Sequence, residues 1–286
     1  VSDANGNAAV EVVRTVTVQD TTAPVITLLG NAAETVEAKG TYTDAGATAI
    51  DSLDGNLTGT VSSVSTVNTG AVGSYTVTYS VSDANGNAAV EVVRTVTVQD
   101  TTVPVITLND SATLTHEAAT TYTDAGATAV DSLDGTASVV ISGSVDVNII
   151  GTYVLKYNAT DSSGNTAIEI QRIVTVGDTG APVINLIGNV LVTHEAATAY
   201  TDAGATAIDS LDGNLTVSSV STVNTEAVGS YTVTYSVSDA NGNAAVEVVR
   251  TVTVQDTTAP VITLLGNAAE TVEAKGTYMD AGATAI

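Results

Sequence analysis

Residues 75–82 alternate strictly: Tyr75, Val77, Tyr79 and Val81 are apolar or aromatic, and Thr76, Thr78, Ser80 and Ser82 between them are polar. A period of two sends these sets to opposite faces of a β-strand, so the segment reads as a strand with one buried face. Asp83-Ala84-Asn85-Gly86-Asn87 follows, and its Asn-Gly step suits the positive φ of a hairpin turn. Val90 to Val98 reads as a closing strand whose alternation is disturbed at Val93-Arg94, because Arg94 falls in step with Val92 and Val96. Either a bulge or an arginine whose stem packs while its head reaches water is expected there. Upstream, Val25 to Leu29 reads as a first strand, Glu34 to Ala38 as an edge segment and Tyr42 to Ile50 as the next strand. A polar loop, Asp51 to Asn56, turns at Asp54-Gly55, and Leu57 to Val67 carries one or two short strands.

This pattern repeats. The four prolines, Pro24, Pro104, Pro182 and Pro260, stand 80, 78 and 78 residues apart, and a fixed period signals a repeat array. Residues 1–50 recur as 237–286 with one change, Thr43 to Met279. The division read from this is 1–19, 20–99, 100–177, 178–255 and 256–286. The three middle segments are complete modules, the first segment holds a last strand, and the last holds first strands. Neither end segment can bury a core alone, so the chain reads as a window on a longer array. The alternative is that the ends of neighbouring subunits complete one another in a filament. Six or seven short strands per module, with turns between, predict an all-β fold: a tandem array of immunoglobulin-like antiparallel β-sandwich modules. So small a domain buries only about 60–65% of its unfolded surface, so each is expected to be marginal alone.

Composition narrows the function. The formal charge is −24, which excludes nucleic acid and anionic membrane surfaces as partners and favours cations or plain solubility. No apolar run approaches the roughly 18 residues that span a bilayer, so direct membrane insertion by this segment is not expected. There is no cysteine, so any staple is a neighbouring module or a metal ion. Two isolated histidines give no base for a hydrolytic triad and no zinc set, and Trp and Phe, the usual sugar platforms, are absent. An array also gains nothing from repeating an active site, so no enzyme is expected.

Several segments together carry a family likeness. They are Pro-Val-Ile-Thr-Leu at 24–28, Tyr-Thr-Asp-Ala-Gly-Ala-Thr-Ala at 42–49, Asp-Gly-Asn at 54–56 and the run from Gly73 to Asn87. This pattern resembles the bacterial immunoglobulin-like repeats of large surface proteins, adhesins and some pesticidal crystal proteins, and it is similar to hyalin-type repeats. The likeness covers every module, with Ala45 where the family usually has proline. It implies an extracellular or cell-surface bacterial location and a spacer or adhesive stalk.

Acidic residues recur at fixed places: Asp20, Asp51, Asp54, Asp83 and Asn87; then Asp100, Asp131, Asp134, Asp161 and Asn165; then Asp178, Asp209, Asp212, Asp239 and Asn243. In an immunoglobulin-like strand order the linker, the loop and the last turn can converge at one pole between modules. Oxygen ligands from three segments are what Ca²⁺ requires, so these residues are candidate Ca²⁺ ligands. Plain turn chemistry accounts for the same residue types and stays open as the alternative. The leading functional expectation is a structural stalk or fibre, stiffened between neighbouring modules by Ca²⁺. The alternatives are a self-associating filament subunit and an adhesin module for a host or surface ligand, with the divergent stretch 136–150 as the first place to look for such a ligand.

Overall fold

The computed structural model describes Val1–Ile286. The first repeat contains β1 (Val25–Leu28), β2 (Ala33–Glu37), β3 (Ala47–Asp51), β4 (Gly55–Asn56), β5 (Ser62–Ser65), β6 (Gly73–Ser80) and β7 (Val92–Gln99), with a 3₁₀ turn at Thr58–Thr60. The second contains β8 (Val105–Leu108), β9 (Thr113–Glu117), β10 (Ala127–Asp131), β11 (Gly135–Ala137), β12 (Val139–Ser142), β13 (Gly151–Ala159) and β14 (Ile170–Gly177). The third contains β15 (Val183–Leu186), β16 (Leu191–Glu195), β17 (Ala205–Asp209), β18 (Gly213–Leu215), β19 (Ser218–Ser221), β20 (Gly229–Ser236) and β21 (Val248–Gln255). β22 (Ile262–Leu264) and β23 (Ala283–Ala285) follow.

By packing, the chain divides into two compact units. The first is Val1–Ala112 with Ala125–Ser142 and Lys156–Gln171. It holds the whole first repeat: a three-stranded sheet β1-β3-β4 against a four-stranded sheet β2-β7-β6-β5. All pairs are antiparallel except β2 with β7, which run parallel. Their inner faces meet in one core of Ile26, Ala47, Ala49, Val77, Tyr79, Val81, Ala89 and Val96, drawn from both sheets. The alternation along β6 is what fills it, since Val77 and Tyr79 point inward while Ser74 stays outside. The same unit holds the β8-β10-β11 sheet of the second repeat and the pairing of β12 with Lys156–Ala159 of β13.

The second unit is Thr113–Asp124 with Gly143–Leu155 and Arg172–Ile286. Its third repeat reproduces the sandwich, with sheets β15-β17-β18 and β16-β21-β20-β19 around Ile184, Ala207, Val233, Tyr235, Val252 and Val254. β9 runs parallel to β14 in this unit, as β2 does to β7. The immunoglobulin-like sandwich array expected from periodicity is therefore present.

Three local expectations are corrected. β7 has no bulge: its register with β6 runs unbroken from Tyr79↔Val92 through Val77↔Arg94 to Gly73↔Val98. Arg94 points inward with Val96 and Val98 and is fully buried, so its head does not reach water. Secondly, the strand expected from Tyr42 begins only at Ala47. Residues 42–46 are a loop that ends at Gly46, whose φ of +81° a side-chain-bearing residue rarely adopts, and this loop carries Asp44 to Arg94. Thirdly, residues 12–19 repeat the sequence of β7 and β21 but form no strand. β7 lies between β2 and β6, whereas residues 12–19 have no neighbouring strand to take up their backbone groups, and their valines stay exposed.

Candidate metal centre

The linker entering each repeat, the loop after its third strand and its last turn meet at one end of the sandwich. Asp51 ends β3, and its Oδ1 accepts the N–H groups of Leu53 at 2.7 Å and Asp54 at 2.9 Å. This is the local hydrogen bonding that makes Asp a turn-former. Asp131 and Asp209 repeat it, each bonding Leu133 or Leu211 at 2.7 Å and Asp134 or Asp212 at 3.0 Å. In the last turn Asp83 accepts from the N–H groups of Asn85 and Asn87, and its second oxygen accepts from Asn87 Nδ2 at 2.6 Å. Asn87 Nδ2 also donates to the linker carbonyl of Asp20 at 3.2 Å; Asn165 and Asn243 do the same to Asp100 and Asp178.

Three acidic groups result: Asp20 with Asp51 and Asp83, Asp100 with Asp131 and Asp134, and Asp178 with Asp209 and Asp212. In each group, one oxygen per residue lies within 4.8 Å of the others. The remaining candidates stand just outside these groups. Asp54 Oδ2 accepts from Ala84 N–H at 2.7 Å, tying loop to turn, as Asp212 Oδ2, inside the third group, does from Ala240 N–H at 2.7 Å. Both Asp161 oxygens accept from Asn165, and both Asp239 oxygens accept from Asn243. Asn87, Asn165 and Asn243 spend their amide nitrogens on the brace just described.

The donor set fits a hard cation. Asp51 and Asp131 are 4% and 3% exposed, and Oδ2 of each is buried without a hydrogen-bond partner. A buried carboxylate oxygen with no donor is costly, and a cation is the group that satisfies it. Every neighbouring ligand is oxygen, and Ca²⁺ takes six to eight oxygens at about 2.3–2.6 Å. The charges already feel one another. At Asp178 burial, together with repulsion from Asp209 and Asp239, outweighs the hydrogen bond from Asn241 and raises the carboxyl above its usual range. At Asp134 the hydroxyl and N–H of Ser162 hold the carboxyl below that range. Burial opposes ionisation of Asp83, but the bonds from Asn87 and Asn85 prevail and lower it.

A second set of residues, unnoticed in the sequence, holds the linker from the other side. Glu37, the last residue of β2, accepts from Thr101 N–H at 2.9 Å, Thr101 Oγ1 at 2.7 Å and Thr102 Oγ1 at 2.9 Å. Glu117 grips Thr179 and Gly180, and Glu195 grips Thr257 and Thr258. A Glu at one phase of every repeat and a Thr just after each linker Asp were visible signals. In the second unit Leu211, from the acidic loop, also packs on Ala118, Val174 and Val176 of the preceding repeat. Leu53, at the same place in the first repeat, is 68% exposed.

The latch has a pH signature. Hydrogen bonds from Thr101, then Thr102, lower the Glu37 carboxyl to about 2, and Thr257 and Thr258 lower Glu195 to about 2. A depressed carboxyl stabilises above its ordinary range, near 4.5, and that stabilisation is lost as pH falls toward 2. Carboxyl carbon NMR is expected to show Glu37 and Glu195 titrating near 2; midpoints near 4.5 would mean that the linkers are not gripped.

The histidines take no part in the acidic groups. His116 Nε2 lies 3.2 Å from both Thr120 O and Thr120 Oγ1, and its ring packs edge-on to Tyr122 with centroids 5.1 Å apart.

Comparison with known proteins gives three matches to the family described as bacterial surface protein, Ig-like domain, at residues 26–98, 106–176 and 184–254. Hyalin of Strongylocentrotus purpuratus is 33% identical over 307 aligned residues, covering 95% of this chain and 24% of hyalin. An uncharacterized 81.3 kDa protein of Acholeplasma phage L2 is 31% identical over 227 residues, covering 73% of this chain and 30% of that protein. The chain thus spans less than a third of either relative. Among solved structures, the M60 catalytic domain with the CBM51-1 and CBM51-2 domains of Clostridium perfringens ZmpB matches 86% of this chain and 33% of that one. The identity is 17% and the TM-score 0.23. The lipoprotein BT2262 of Bacteroides thetaiotaomicron matches 80% of this chain and 98% of that one, at 12% identity and a TM-score of 0.25.

Proposed function

The chain belongs to the bacterial surface immunoglobulin-like domain family, and from that premise we propose that it is a non-catalytic spacer of a cell-surface or secreted protein, its joints stiffened by Ca²⁺. Membership places the chain among surface modules, and no helix is long and apolar enough to cross a membrane. The observation that carries the finer reading is that each linker between repeats is gripped from both sides. The repeat before it supplies Glu37 or Glu117. The repeat after it supplies Asn165 or Asn243, and the acidic group with its linker aspartate.

Covalent continuity alone leaves a linker free to pivot. Here the linker between Gln99 and Pro104 is bonded to the preceding repeat through Thr101 and Thr102 and to the following repeat through the carbonyl of Asp100, so pivoting must break bonds on both sides. The weak element is the cluster of like charges. Three carboxylates within a few ångströms repel one another, and a bound Ca²⁺ converts that repulsion into shared coordination. Affinity in the range usual for extracellular modules, about 10⁻⁴–10⁻³ M, suffices at a cell surface.

Small-angle scattering of the whole chain in Ca²⁺ and in chelator tests this. The expected result is a narrower distribution of inter-repeat distances in Ca²⁺, with a higher melting temperature. Superimposable scattering curves and equal melting temperatures in the two buffers would remove Ca²⁺ from the proposal.

A further inference from the structure

The three acidic groups are each built from aspartates, and a lysine sets the second apart. Lys39 follows β2 in a left-handed turn conformation, φ +57°, and its ammonium reaches across the joint into the next repeat. Lys39 Nζ donates to Ser132 O at 2.5 Å and to Leu133 O at 3.3 Å. Those carbonyls belong to the loop between Asp131 and Asp134, two members of the second acidic group. The equivalent turn residues in the next two repeats are Ala119 and Ala197, with φ of +55° and +57°. The backbone turn is conserved in shape and the charge is not.

We infer that Lys39 is a built-in counter-cation for the acidic group Asp100, Asp131 and Asp134, making this the weakest of the three cation sites and its joint the least dependent on free Ca²⁺. This rests on the reading of the acidic groups as Ca²⁺ sites. In the second group that reading is supported by Asp131, a member of the group whose Oδ2 is buried without a hydrogen-bond partner. The first group, with the partnerless Asp51 Oδ2, is its counterpart without a lysine.

The physical reason is competition. A loop that bends two carbonyls and two carboxylates toward one region favours any positive charge there. An ammonium held in place fills part of that demand without leaving solution, so it loses no translational freedom on binding. It also repels an arriving divalent ion. At separations of a few ångströms in a water-like dielectric, a unit charge against a double charge changes affinity by about tenfold. Lys39 is therefore expected to lower Ca²⁺ affinity at its own group by about that factor relative to the other two. The same ammonium bonds to carbonyls of the following repeat, so the joint keeps a charge-assisted link when Ca²⁺ is absent. An array built this way has joints that respond at different Ca²⁺ concentrations.

Calorimetric titration of the whole chain with Ca²⁺ tests the inference, using wild type, K39A, K39R, D51N and D131N. K39A is a mild change, because alanine already occupies the same turn at 119 and 197. The expected wild-type curve has two tighter sites and one about tenfold weaker. D131N should delete the weak site and D51N a tight one. K39A should bring the weak site into line with the others, while K39R keeps it weak. The reciprocal A119K should weaken the site of Asp178, Asp209 and Asp212. Three equal sites unmoved by K39A would overturn the role of Lys39 and leave the Ca²⁺ reading standing. No binding heat from any protein, including K39A, would overturn the Ca²⁺ reading and this inference with it.

Discussion

Replacing Arg94, Arg172 and Arg250 together by methionine is expected to destabilise each repeat by about 3–5 kcal/mol, the range for removing one partner of a buried ion pair. Small domains are stable by roughly 0.05–0.15 kcal/mol per residue, so a loss of this size removes a large share of a repeat's stability. The three guanidinium groups are 0–1% exposed. Arg94 pairs with Asp44 and Leu29 O, and donates from Nε to Asn31 O at 2.9 Å and from Nη2 to Gly46 O at 3.3 Å. Arg250 repeats this with Asp202, Ile187 O, Asn189 O and Gly204 O, and adds Tyr235 Oη at 2.7 Å. Arg172 pairs with Asp124. Methionine fills much of the volume but leaves the carboxylate and the carbonyls without their donor. The loss is thus electrostatic rather than the penalty of a cavity.

Urea unfolding of the whole chain measures it. A fall in stability of less than about 1 kcal/mol per repeat would mean that water reaches the pair and solvates it. Changing the carboxylate as well, as in R94M with D44L, is expected to recover part of the loss, because no lone charge is left inside. The pair also sets a pH range. Burial opposes ionisation of Asp44, but hydrogen bonds from Tyr79 and Tyr42 and the charge of Arg94 outweigh it and lower the carboxyl. Its stabilisation is present above the ordinary carboxylate range and lost as pH falls through the lowered value. Burial first, and then the bond to Asp44, raises the Tyr79 phenol. That neutral phenol stabilises below about pH 10 and its contribution is lost only in stronger base.

The inward arginine also shows where sequence reading succeeds and where it stops. Alternation placed Val77 and Tyr79 inside and the neighbouring serines and threonines outside, because hydrophobic burial is a property of each position in turn. The same rule applied to Arg94 predicts the inward face correctly, yet a charge inside looks forbidden until its partner is known. That partner, Asp44, lies 50 residues earlier on a loop that reads as strand from its composition. The pairing exists only in three dimensions. Residues 12–19 make the complementary point: the eight residues of β7 are a strand where β2 and β6 flank them and are not where those neighbours are missing. Strand propensity is completed by partners, and one segment does not contain them. At the candidate metal centre, the convergence of linker, loop and turn followed from strand order. Which oxygens remain free did not, because Asp161 and Asp51 are the same residue in similar turns, and only the hydrogen-bond geometry shows one used up and the other left over. The glutamate latch escaped notice because each of its halves, a Glu ending an edge strand and a Thr in a linker, looks like ordinary surface.

Asp51 and Asp131 give the second large effect, and its sign is expected to depend on the buffer. Each uses Oδ1 to hold its turn and buries Oδ2 without a partner. Asparagine at these positions keeps the accepting oxygen and turns the orphan atom into an N–H donor facing carboxylates. In chelator, D51N with D131N is therefore expected to raise stability by about 1–3 kcal/mol per altered repeat, the penalty of an unsatisfied buried group removed. In Ca²⁺ at about 100 times its dissociation constant, wild type gains about 2.7 kcal/mol per site, and the variant, deprived of the central ligand, does not. The two melting curves should cross over: variant above wild type in chelator, at or below it in Ca²⁺. Alanine at the same positions should lower stability in both buffers, because it also removes the turn-forming oxygen. A variant displaced in the same direction by the same amount in both buffers would show that the buried oxygens are balanced by the protein itself and await no ion.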